Sequence, residues 1–86
     1  MTDHLTRIDP NANMRRFYRV DVQPGLFGDS CLIRAWGRIG THGQSKEQWF
    51  EATGDAQSAG AKIIAQKRRR GYGDALGEDA VIEPIG

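Results

Sequence analysis

Eighty-six residues can close only a modest core, so a single sheet covered by one helix is about the limit of what this chain can build. With 27% charged and 38% hydrophobic residues it has the composition of an ordinary globular domain, and no apolar run approaches the ~20 residues of a membrane helix. The expectation is therefore a cytoplasmic protein that does not enter a membrane, and the lone Cys31, which cannot form an internal disulfide, fits a reducing compartment.

In chain order, residues 1–14 are polar, lack a signal-peptide core and show no periodicity around Asp9-Pro10-Asn11-Ala12-Asn13, so they read as a flexible leader. Residues 15–86 then form a single domain, with an acidic segment from about residue 74. Residues 16–22 alternate, with Tyr18, Val20 and Val22 on one face and Phe17, Arg19 and Asp21 on the other, which predicts a half-buried strand. Gln23-Pro24-Gly25 and Gly28-Asp29 bracket a loop carrying Leu26 and Phe27, an apolar pair expected to tuck under the sheet edge rather than stand out as a contact point. A second strand over 30–39 has Cys31, Ile33 and Ala35 on one side and Leu32, Arg34, Trp36 and Arg38 on the other. The first set looks like core and the second like a working surface.

Glycines at 37, 40 and 43 around Thr41-His42 mark a tight turn into a third strand over 45–52, whose antiparallel return should bring Lys46 toward Arg38. Asp55 is placed to cap a helix running from Ala56 to a left-handed stop at Gly71. Ala56, Ala59, Gly60, Ile63, Ile64 and the stem of Lys67 share a side at helical spacing, and the isoleucines should pack on a sheet face that includes Ile33 and Val20. Lys62, Gln66, Arg69 and Arg70 take the other side. The cations at 67–70 complement the helix dipole as readily as they would a phosphate. Beyond Gly73, the run 80–83 is a candidate edge strand.

Net charge of +1 conceals a segregation. Residues 15–70 hold eleven Lys and Arg against five acids, while the segments on either side are net acidic. A basic body suits a polyanionic partner; charges that only solvate the surface are the alternative. The run Trp36-Gly37-Arg38-Ile39-Gly40 sets an aromatic plane and a guanidinium two residues apart, hence on one face of an extended strand. A ring that can cover a ribose or base, beside a guanidinium that can grip a phosphate, suits a sugar-phosphate end. A core-anchoring Trp36 beside a solvated Arg38 is equally compatible with the pattern. Cys31 reads as a packed thiol and His42 as a turn residue able to meet a phosphate when protonated. His4 lies in the leader. No catalytic set, phosphate loop or metal-ligand spacing can be assembled, so no enzyme activity, cofactor or metal is expected.

In order and spacing, Arg16-Phe17-Tyr18, Ile33-Arg34-Ala35 leading into Trp36-Gly37-Arg38-Ile39-Gly40, Gly43-Gln44, Phe50 and a helix ending in Lys67-Arg68-Arg69-Arg70-Gly71-Tyr72 resemble the WGR domain. This module is found in DNA-dependent poly(ADP-ribose) polymerases and in bacterial proteins, and the small stand-alone bacterial members are the most similar. The resemblance, over residues 15 to about 73, implies an α+β fold, a small twisted antiparallel sheet with one α-helix packed against it. It also implies nucleic-acid binding, above all of DNA ends or breaks. In the polymerases the motif Trp lies near the terminal sugar and the motif Arg makes DNA-linked and interdomain contacts, roles that fall here on Trp36 and Arg38. These 86 residues include no ADP-ribosyltransferase domain or zinc finger, so the interdomain part of the Arg38 role has no counterpart within them. The candidate nucleic-acid-binding residues are Trp36, Gly37, Arg38, Gly40, Arg34, His42, Lys46, Arg69 and Arg70. The expected partner is DNA, with RNA as a variant, and the chain is expected to be a monomer. The rival reading is a protein-protein interaction module using the same Trp and Arg surface.

Overall fold

Register between neighbouring strands, more than alternation within any one of them, decides which side of this sheet is buried. The computed structural model describes residues 2–75. Among these, β1 (Thr2–Asp9), β2 (Met14–Pro24), β3 (Ser30–Arg38), β4 (Gln44–Phe50) and β5 (Gly73–Asp74) form one antiparallel sheet in the order β4-β3-β2-β1-β5. A single helix, α1 (Thr53–Arg69), packs across one face, which is the α+β architecture the sequence implies.

On β2, Tyr18, Val20 and Val22 are buried on the helix side, as the alternation predicts. Their partners on β3 are Trp36, Arg34 and Leu32, and directly paired residues share a face. The even-numbered side of β3 therefore faces the helix. Leu32 is only 1% exposed, and Cys31, Ile33 and Ala35 lie on the far face, the reverse of the expected assignment. β3 is apolar enough on both sides for its own pattern to permit either choice; pairing to β2 makes it.

Residues 2–9 are a strand and not a flexible leader. β1 pairs with β2 along its whole length, Leu5 is fully buried opposite Tyr18, and the Thr2 hydroxyl donates to Asp21 at 2.7 Å. That hydrogen bond is the main reason the Asp21 carboxyl titrates below its ordinary range. The Asp9-Pro10-Asn11 run is the hairpin connection. The Asp9 carboxylate accepts from the backbone N–H groups of Asn11 and Ala12 over a single 3-10 turn (Pro10–Ala12), and Asn13 takes the left-handed conformation, φ 51°, that re-aims the chain into β2.

The helix begins three residues earlier than expected. Ala52 is its N-cap, with no side-chain cap, and Asp55 lies in the first turn, where its charge complements the positive helix end. Thr53 meets Ser30 hydroxyl to hydroxyl at 2.6 Å, pinning this end to β3. Ala56, Gly60 and Ile64 are buried, with Ala59 and Ile63 beside them. A methyl on Gly60 would sit 3.2 Å from Val20 and 3.4 Å from Leu32, so glycine here lets the helix lie close to the sheet. Ile63 and Ile64 thus pack on the Val20 face, while Ile33 is on the other side of the sheet. At the far end Gly71 adopts φ 97°, and the N–H groups of Gly71 and Tyr72 return to the carbonyls of Arg68 and Lys67, the left-handed stop the sequence predicts.

Leu26 and Phe27 are 92% and 91% exposed, so the β2–β3 loop does not tuck its apolar pair away. Gly25 donates to the Asp29 carbonyl at 2.9 Å and closes the hairpin beyond the sheet edge, where no other described element lies over it. The candidate strand at 80–83 and most of the acidic segment fall outside the described residues.

Candidate nucleic-acid interface

β3 ends at Arg38, and the chain turns there for a specific reason. The Arg38 carbonyl accepts from both the N–H and the hydroxyl of Thr41, at 3.0 and 2.8 Å, with Gly40 at φ 94° in the third position of the turn. This is the position where a type II turn needs positive φ, so Gly40 serves the backbone. Gly37 and Gly43 approach each other closely: a methyl on Gly37 would lie 2.7 Å from the Gly43 Cα, and one on Gly43 would collide with the Trp36 carbonyl. The glycines of the motif thus lock the strand end that carries Trp36 and Arg38.

Trp36 is half-buried and stacks on Tyr18, with ring centres 5.9 Å apart and planes 16° from parallel. Tyr72, just past the helix, meets Tyr18 edge-on at 6.4 Å. The Lys67 ammonium sits 4.6 Å from the centre of the Tyr18 ring and 5.9 Å from that of Tyr72. Trp36, Gly37, Arg38, Lys67 and Tyr72, together with Ala12 and Asn13 from the β1–β2 connection and Met14, Arg15 and Arg16 at the start of β2, line an open cleft of roughly 450 Å³. Its charged lining is four cations and no carboxylate. Among the described residues none of the four is ion-paired; the ion pair present joins Arg68 to Asp74 at 2.6 Å, outside the cleft.

Burial pushes the Lys67 pKa below that of an ordinary lysine, and the charges of Arg70 and Arg34 push it further the same way. Arg34 and Arg70 therefore contribute to the field around the cleft without lining it. Lys46 pairs with Arg34 across the β3–β4 ladder, not with Arg38, and prolongs the positive strip along the helix side of the sheet. Arg69 and Arg70 are exposed at the end of the helix, whereas Gly40 and His42 lie in the exposed β3–β4 turn, outside the cleft lining.

Seven residues of the cleft lining escape the sequence reading of the site, among them its charged and aromatic members Arg15, Arg16, Lys67 and Tyr72. The available signal was the antiparallel pairing of the two central strands, since it sets Arg16 opposite Arg38 and brings the Ile39 N–H to the Arg15 carbonyl at 2.9 Å. Cys31 is buried, and burial raises its thiol pKa, so it is a packing residue and not a nucleophile. The described residues contain no group of three or more His, Cys, Asp and Glu that could hold a metal ion, and no helix among them is long and apolar enough to cross a membrane.

The family model of the WGR domain matches residues 1–79, which include the strand that the composition disguised as a leader. The chain belongs to the WGR domain family. WGR domains are non-catalytic modules known for nucleic-acid binding in poly(ADP-ribose) polymerase-like proteins. This one is 46% identical over 69 residues to an uncharacterized protein, y4dW, of Sinorhizobium fredii, a match covering 80% of this chain and 34% of the relative. A crystal structure of a Bacteroides fragilis protein superposes with a TM-score of 0.76 at 28% identity, over 96% of this chain and 22% of that one. The WGR chain thus spans about a third of the length of the first relative and about a fifth of the second.

Proposed function

We propose that this WGR domain binds DNA at strand ends, with Trp36 covering a terminal sugar or base and Arg15, Arg16, Arg38 and Lys67 taking the adjacent phosphates. The observation that carries this reading is the cleft itself, where an aromatic wall and four cations, none ion-paired among the described residues, converge from three separate parts of the chain. The planar guanidinium of Arg38 can hold a phosphate at two points, while Lys67 supplies a point charge already poor in solvent.

The test is a titration against blunt linear, nicked, single-stranded and closed-circular DNA at two salt concentrations. Trp36→Ala should lose about 1 to 3 kcal/mol on DNA with ends and much less on a closed circle. Arg38→Lys should restore little of what Arg38→Ala loses. Because Trp36 leans on Tyr18, circular dichroism must first show that the variant is folded. If folded Trp36→Ala binds linear and circular DNA as the unaltered chain does, the end-binding reading fails. Affinity that stays flat as salt rises would favour a protein partner at the cleft.

A further inference from the structure

The end of the sheet opposite the cleft has a different chemistry. Leu26 and Phe27 project from the β2–β3 hairpin almost fully exposed, and Trp49 on β4, 59% exposed, lies against the same loop: a methyl on Gly25 would sit 3.1 Å from its ring. Scattered exposed apolar side chains are ordinary on a protein surface; two large ones at a hairpin tip, with an indole at its base, form a contiguous patch.

Among the described residues, the charges nearest this patch are carboxylates. The Asp29 carbonyl closes the loop, its half-buried carboxylate lies against Gly25, and Asp21 and Glu47 flank Ile33 on the sheet face that carries Trp49, one ladder step from the Cys31–Trp49 pair. Asp29 and Glu47 both lie close enough to Cys31 to raise its thiol pKa. Among the described residues the first cation on that face is Arg19, opposite Ala35, a further ladder step away. The eight residue steps from Ser30 to Arg38 separate the tip from the cleft by about 26 Å at the usual strand rise, so both ends can be occupied at once.

We propose that the Leu26-Phe27-Trp49 tip is a docking point for a protein segment that presents apolar side chains flanked by lysine or arginine. Charge complementarity selects this occupant. An anionic membrane surface would be repelled by Asp21, Asp29 and Glu47, and a tip-to-tip second copy would set the same carboxylates against one another. Apolar contact supplies the affinity, and the acidic rim supplies orientation and choice of partner.

The experiment uses an amphipathic synthetic peptide of Leu and Lys, the same peptide with Glu in place of Lys, and zwitterionic vesicles, each titrated against the full chain. The Leu/Lys peptide should bind, and the Leu/Glu peptide should bind at least about tenfold more weakly. Leu26→Ser with Phe27→Ser should weaken the Leu/Lys peptide by about tenfold or more and leave the far-ultraviolet spectrum unchanged, since neither side chain is buried. Phe27→Leu should retain most of the binding, and Asp29→Asn with Glu47→Gln should reduce it and flatten its salt dependence. The proposal is overturned if neither peptide binds, if the two bind equally, or if the serine variant binds as before. It is also overturned if the serine substitutions instead abolish vesicle binding or a concentration-dependent self-association seen by light scattering.

Discussion

At Lys67 a cation is held over two tyrosine rings while burial and two neighbouring cations disfavour its charge. Because its folded pKa lies below the unfolded one, that charge costs stability in full at every pH below the folded value, and the cost fades as pH rises from there toward the unfolded value. The attraction to the rings, about 0.5 to 1 kcal/mol for a pair of this kind, works in the opposite direction. Lys67→Met keeps the stem and removes both effects, so its unfolding free energy in urea should stay within about 1 kcal/mol of the unaltered chain. The same substitution should lower the slope of log affinity against log salt by about one unit if Lys67 contacts a phosphate. An unchanged slope would assign Lys67 to packing alone. From sequence, Lys67 reads as an aliphatic stem at the edge of a helical stripe; what makes it a cleft residue is Tyr18, far away in the chain, and no local pattern carries that.

At the scale of elements, the helix was legible and β3 was half legible. Apolar and small residues at helical spacing describe one stripe, and that stripe is the one that packs: Ala56, Gly60 and Ile64 are buried on Val20 and Leu32. β3 offers two plausible faces, with arginines at 34 and 38 making the even side look exterior, yet the helix covers this face only as far as Leu32 and leaves Arg34 and Trp36 partly open. β1 was missed because a strand needs only one core side chain to be held, here Leu5, and a single buried leucine among polar residues makes no period. Ile64→Ala should cost roughly 2 to 4 kcal/mol in chemical denaturation. Ile33→Ala, half-buried on the face that no described helix covers, should cost distinctly less. Equal losses at the two positions would mean that the far face is covered as thoroughly as the helix side.

At the scale of the whole molecule, among the described residues, cations gather around the cleft and the helix C-terminus, where Asp74 pairs with Arg68, while Asp21, Asp29 and Glu47 lie toward the hairpin tip. The net charge was legible from composition, but its polarity depends on which strand ends lie together. Replacing Arg69 and Arg70 with Gln should weaken DNA binding about equally for all sequences and lower the salt slope by up to about two units. If the slope holds, these two arginines belong to the solvated face of the helix. The sheet order has a consequence for how the chain assembles in time. β1 to β4 form a meander in which each strand pairs with its neighbour in sequence across a short turn, so those ladders can zip up from local hairpins. The β1–β5 ladder, which joins Leu5 to Asp74, can close only once the meander has formed and α1 has crossed it, with only two paired positions as reward. That ladder should form last and open first, so the edge beyond β1 breathes while the β2–β3 pair, which carries Tyr18 and Trp36, stays closed.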